Sequence, residues 1–98
     1  MYKRQVQAAS WTLKEQVRFA NGRVLSDTWE EYPILTFREV PRIDVAIVDR
    51  PAEPSLGAGE ASMGPTAAAL GNALVDAVGV RVRDLPLTAE HIVAAMDD

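Results

Sequence analysis

Val17-Arg18-Phe19-Ala20-Asn21-Gly22-Arg23-Val24-Leu25-Ser26 sets two short runs on either side of an Asn-Gly pair. Asn-Gly suits the centre of a type I′ turn, where both residues need positive φ and the turn matches the twist of the paired strands. The stretch therefore reads as a β-hairpin with strands at 17–20 and 23–26, and a two-residue loop sets Phe19 opposite Val24. The residues before it follow another period. Between Arg4 and Gln16, Val6, Ala9 and Leu13 recur at helical spacing, while Gln7, Lys14 and Glu15 fall elsewhere on the cylinder. A helix followed by a hairpin makes the expected fold class α+β.

Downstream, residues 27–41 hold neither period, and Trp29, Tyr32, Pro33 and Phe37 suggest a packed irregular connection. Ile43, Val45 and Ile47 then alternate with Asp44, Ala46 and Val48, the pattern of a further strand. Residues 50–65 hold half of the chain's prolines and half of its glycines, which reads as a loop with special backbone demands at Gly57 and Gly59. A helix follows over 65–78. Pro65 fits its first turn, Gly79 its C′ position, and Ser62 is a candidate cap. Ala67, Leu70, Gly71, Leu74, Val75 and Val78 form one apolar face. The opposite side is mostly alanine, with Thr66, Asn72 and Asp76 polar. A helix apolar nearly all round expects burial on most sides. A chain of 98 residues has little mass to surround it, so part of this surface expects another chain or domain. Residues 80–83 read as extended, 85–87 as a turn, and a short terminal helix starts at the Thr88 cap with Ile92, Val93 and Met96 inward.

Composition narrows the functional classes. The 98 residues, 48% hydrophobic and 24% charged, describe one small domain over 1–98 or a fragment of a larger subunit. The absence of cysteine excludes a disulfide framework, a thiolate zinc site and a cysteine-ligated iron–sulfur cluster within the chain. A formal charge of −4 argues against nonspecific nucleic-acid binding. The apolar runs are too short for membrane insertion. No secretory leader is visible, and the compartment stays open. His91, the one histidine, reads as an ordinary surface residue and leaves no multi-histidine metal site. Ser62 lacks the Gly-x-Ser-x-Gly surroundings of a hydrolase nucleophile, and no Gly-Lys-Ser/Thr follows Gly57-Ala58-Gly59-Glu60 as a phosphate loop requires.

Glu60 is the residue with chemical potential. It ends a glycine-containing turn just before a helix whose first N–H groups favour anions. Two readings are open at this point. The carboxylate complements the helix dipole, worth ~0.3–1 kcal/mol, or it serves a reaction.

Gly57-Ala58-Gly59-Glu60-Ala61-Ser62, followed by Gly64-Pro65-Thr66-Ala67-Ala68-Ala69 and Asn72-Ala73, resembles the C-terminal signature of molybdenum hydroxylase large subunits, the xanthine dehydrogenase and aldehyde oxidase superfamily. Gly79-Val80-Arg81-Val82-Arg83-Asp84-Leu85-Pro86-Leu87-Thr88 is similar to that family's ending. Ser10-Trp11-Thr12-Leu13-Lys14-Glu15 and Tyr32-Pro33-Ile34 resemble the subgroup named for the isoquinoline 1-oxidoreductase beta subunit. The resemblance implies that Glu60 is the general base beside a molybdenum centre, with Gly57, Ala58 and Gly59 close to the cofactor. It also implies molybdopterin cytosine dinucleotide as that cofactor and N-heterocycles or aldehydes as substrates. The implied partners are the remainder of the molybdenum-binding subunit and an iron–sulfur subunit. Family large subunits are many times longer, so the expectation is a C-terminal fragment, split subunit or truncated frame that is inactive alone. A second class of function stands beside this one: a non-catalytic interaction module that packs on a partner through its alanine-rich helix.

Overall fold

The structure is a computed structural model, and it describes residues 2–97. Three helices and one hairpin follow in the order α1 (Tyr2–Leu13), β1 (Phe19–Ala20), β2 (Arg23–Val24), α2 (Met63–Val78) and α3 (Ala89–Met96). The fold is α+β, as the hairpin between helical periods implies.

The hairpin forms as read. β1 and β2 are antiparallel with Phe19 paired to Val24 and Ala20 to Arg23. Asn21 and Gly22 have φ of 51° and 71°, the left-handed values that a type I′ turn requires. The ladder is shorter than 17–20 and 23–26, but one more rung follows it. The Leu25 N–H donates to the Arg18 carbonyl at 2.8 Å, and the Arg18 N–H donates to the Ser26 hydroxyl at 3.0 Å.

Helix α1 is the centre of packing. Ala8, Ala9, Ser10 and Thr12 are buried on it. The Thr12 hydroxyl donates to the Ala8 carbonyl at 2.8 Å, so the polar group enters the interior already satisfied. The Thr12 carbonyl accepts from the Leu87 N–H at 2.6 Å, which fastens the segment before α3 to α1. Ser10 accepts the Leu35 N–H at 3.0 Å and fastens the middle loop to the same helix. Helix α2 packs against α1. Gly79 closes it in the left-handed conformation at φ 76°, with its N–H donating to the Val75 carbonyl at 2.8 Å, a glycine C-cap. Thr88 caps α3, accepting from the His91 N–H at 3.4 Å.

Several expectations are corrected. Helix α1 ends at Leu13 rather than Gln16. Residues 43–48 form no strand, because none of the described residues pairs with them. The alternation is present, but a strand also needs a neighbour. Helix α2 buries no residue fully. Its face of Ala67, Leu70, Gly71, Leu74 and Val75 is half-buried against the fold, and the alanine side is open. In α3, Ile92 is half-buried whereas Val93 and Met96 are exposed. Ser62 stands at the N-cap of α2 in an αR conformation and makes no side-chain capping bond. Gly57 and Gly59 do not adopt positive φ, and an added Cβ at either meets nothing within 4 Å.

The hydrophobic core comprises Ala8, Ala9 and Leu87. The accessible surface is 8017 Å², against roughly 5,500 Å² for a folded monomer of this mass. The radius of gyration is 16.4 Å, against about 13 Å for a compact domain of this length. Phe37 is 100% exposed and Trp29 77%. The chain thus leaves about 2,500 Å² of extra surface, the scale of a large protein interface, open.

Glycine conformation gives a direct check. Gly79→Ala is expected to lower stability by about 1 kcal/mol in urea unfolding, whereas Gly57→Ala and Gly59→Ala should each change it by less than about 0.5 kcal/mol.

Candidate functional site

Residues 57–60 lie in an exposed loop that leads into α2. The Glu60 carbonyl accepts from the Met63 N–H at 3.2 Å, and the Thr66 N–H donates to the Ser62 carbonyl at 3.1 Å, so the backbone at Glu60 is already turning into the helix. The Glu60 side chain has no hydrogen-bond or ion-pair partner among the described residues. It is a free carboxylate carried at the head of a long helix. Gly57, Ala58 and Gly59 run beside it in the open loop.

Two residues beyond Glu60, Ser62 enters a cleft between α1 and α2. Gln5 and Ala9 from α1, Pro41 and Ile43 from the middle loop, and Ser62, Pro65 and Leu70 are among its lining residues, around about 410 Å³ of space. Its walls are mainly apolar, yet Gln5 Oε1 and Ser62 Oγ are both buried with no hydrogen-bond partner. Such atoms normally find one. Sequence reading misses Gln5 and assigns Ser62 to capping, because nothing in the local pattern of either residue reports that the two meet one cleft.

A second cleft of about 360 Å³ lies on another side of α1, between Val6, Ser10 and Trp11 and the loop residues Trp29, Tyr32 and Ile34. The Tyr32 hydroxyl donates to Glu15 Oε2 at 2.8 Å. That bond to a carboxylate, with some burial, raises the tyrosine pKa above its usual 10.0. His91 Nδ1 lies 2.7 Å from the Pro86 carbonyl, which can only accept, so the ring proton sits on Nδ1. His91 is half-buried and serves to hold the Pro86 turn against α3.

The most strongly perturbed carboxylate is Glu39. The Lys14 ammonium, with the Thr36 N–H and hydroxyl, lowers its pKa from 4.5 to about 2. Arg18 and Glu31 form another ion pair beside the hairpin. Both pairs are exposed and tie loops to neighbouring elements. Lys14, Arg18 and Glu31 line one open cleft of about 160 Å³ with Gln16 and Pro33, and their charges are already paired, so they read as structural ties.

The loop at 57–60 forms no cradle by itself. Neither cleft beside α1 is lined by these residues, the glycines have open space beside them, and no group of three potential metal ligands occurs among the described residues. A dinucleotide-sized cofactor does not fit onto this chain alone. What the chain presents is one wall: an unpaired carboxylate, a small-residue loop and an adjoining apolar cleft.

The chain is related to a short segment of dehydrogenase polypeptides. It is 50% identical over 91 residues to a subunit of nicotinate dehydrogenase from Pseudomonas putida, covering 93% of this chain and 8% of that one. It is 27% identical over 95 residues to the membrane-bound aldehyde dehydrogenase (pyrroloquinoline-quinone) of Gluconacetobacter polyoxogenes, covering 93% of this chain and 12% of that one. The chain therefore spans about a tenth of the length of these curated relatives. No family model matches it. Among the described residues, no helix is long and apolar enough to cross a membrane.

The Glu39 cluster sets a pH dependence. Its carboxyl pKa is depressed on folding, so the stabilisation is full above the ordinary value of 4.5 and is lost as pH falls towards about 2. A carbon-13 titration should place the Glu39 midpoint near 2, and Lys14→Met should move it back towards 4.5.

Proposed function

We propose that this chain is the general-base-bearing segment of a molybdenum-dependent hydroxylase, with Glu60 as the base. The observation that carries the reading is the unpartnered Glu60 carboxylate at the head of α2, within residues 57–73 that resemble the molybdenum hydroxylase signature. The 50% identity to a dehydrogenase subunit supports the oxidoreductase class. The name of that relative carries nicotinate, an N-heterocycle, and the name of the second carries an aldehyde, the two substrate classes the resemblance implies. The higher identity favours an N-heterocycle. Neither name carries molybdenum, and the second carries a quinone, so the metal assignment rests on the signature around Glu60.

The chemistry asked of Glu60 is modest. The molybdenum cofactor supplies two-electron redox chemistry when bound. Glu60 accepts a proton from the oxygen nucleophile that adds to an electron-poor carbon. In the open loop the carboxylate is solvated. Enclosure by the rest of the enzyme would remove that water and leave the carboxylate facing the reacting oxygen. Gly57, Ala58 and Gly59 offer a backbone without bulky side chains, against which a cofactor can lie. An iron–sulfur subunit would take up the electrons; the relative's name as one subunit of a dehydrogenase supports an assembly of more than one polypeptide and nothing finer.

The test is Glu60→Gln in the complete enzyme. The change keeps shape and removes the base, so turnover should fall about 10²–10⁴-fold while molybdenum content and subunit composition stay unchanged. Near-normal turnover would return Glu60 to a dipole-complementing role. The chain purified alone should neither retain molybdenum nor oxidise substrate. A chain that copurifies with neither molybdenum nor a large-subunit polypeptide would favour the interaction module instead.

A further inference from the structure

Residues 43–48, Ile-Asp-Val-Ala-Ile-Val, have the composition of a strand and lack its partner. Four of the six are β-branched. Between the bond from the Glu39 N–H to Thr36 and the bond from the Glu53 N–H to Arg50, no intervening backbone N–H donates to a backbone carbonyl and no intervening carbonyl accepts a backbone N–H among the described residues. A run of six unpaired N–H and C=O groups is uncommon in a completed protein, where nearly all of them are bonded once buried.

The side chains of this run leave apolar surface uncovered. Ile47 is 84% exposed and Val48 80%, and adjacent residues of an extended chain point to opposite faces. Ile43, Val45 and Ile47 make one face apolar throughout, while the other carries Asp44, ion-paired with Arg42, before Ala46 and Val48, so the run reads as a strand covered along one face and on both at its end. The beginning of the run is already anchored. Pro41 and Ile43 line the cleft between α1 and α2, the cleft that also holds the unpartnered Gln5 Oε1 and Ser62 Oγ. The chain's own hairpin supplies no edge to it, since β1 and β2 pair with each other alone.

Resting on the reading of the chain as a segment of a larger enzyme, we propose that residues 43–48 are donated as a strand to an open β-sheet edge of the polypeptide that completes the large subunit. The lengths of the relatives favour that occupant. Their matching segments make up 8% and 12% of their chains, so in those proteins some nine-tenths of a long polypeptide is at hand to cover this surface. A second copy pairing through the same six residues would cover that ribbon alone. The surplus surface also includes Trp29, Phe37 and Leu56 on other segments, which calls for a partner larger than another 98-mer.

Hydrogen–deuterium exchange on the assembly purified from its own cells through a tag on this chain, compared with the chain alone, provides the test. Amides 43–48 should exchange freely in the isolated chain and about 100-fold or more slowly in the assembly. Val45→Pro or Ala46→Pro, by removing a donor, should lower the yield of assembly about 10-fold or more. The circular dichroism of the isolated chain should not change, because no helix or hairpin bond involves these residues. An assembly in which 43–48 still exchange freely, and which tolerates both prolines, overturns strand donation and leaves the Glu60 reading standing. A homodimer of the chain that protects the same amides overturns the choice of partner. Recovery of the chain with neither a large-subunit polypeptide nor molybdenum overturns this proposal together with the reading on which it rests.

Discussion

Two groups on α1 hold the molecule in its arrangement. The Thr12 carbonyl accepts the Leu87 N–H at 2.6 Å, and the Ser10 hydroxyl accepts the Leu35 N–H at 3.0 Å. Each bond ties a distant segment to one helix, and each involves a buried residue of that helix. Buried polar groups left unpaired cost more than their bonds contribute when made, so these contacts specify an arrangement more strongly than their net ~0.5–1.5 kcal/mol suggests. Helix α1 can be so closely approached because its interior positions are small: Ala8, Ala9, Ser10 and Thr12. The third tie, α2 on α1, uses the same slim helix.

That economy of bulk has a consequence. Small residues bring backbones together but remove little apolar surface from water, and removal of such surface is the main driving term in folding. The three core hydrophobes are two alanines and a leucine, while most aromatic and branched side chains stay outside. Local geometry in this chain is well formed at the hairpin, the Gly79 cap and the Thr88 cap. Its apolar packing is incomplete. The carboxylate proposed as base belongs to the incomplete part, at the junction of an open loop and a helix with one face uncovered. The proposed role of Glu60 and the open apolar packing therefore point to the same need, a surface that the described residues do not provide.

What could be read from sequence divides along that line. The Asn21-Gly22 turn, the Phe19–Val24 pair, Gly79 at the end of α2 and Thr88 at the start of α3 depend on neighbours within a few residues, and all four were legible. Ser62 reads as a cap because a serine before a helix looks the same whether its hydroxyl meets the helix or a cleft. The glycines at 57 and 59 suggest a strained loop, yet glycine permits positive φ without requiring it. The strand pattern at 43–48 was legible as chemistry but not as structure, because pairing is a property of two segments. The ion pair of Lys14 with Glu39 and the meeting of Gln5 and Ser62 at one cleft are long-range and leave no periodic trace. For the candidate site, the order of residues from Gly57 to Ser62 was legible, and its openness was not, since exposure depends on what else surrounds the loop.

The bare loop itself has a further implication. Every residue from Pro51 to Ala61 is exposed, and the loop is tethered to the rest by few backbone bonds. Exposed polar and small-residue segments of this kind are favoured places for proteolytic nicking. The same loop carries Glu60, so a cut there would part the proposed base from the segments that precede it while leaving the hairpin, α1 and α2 each intact.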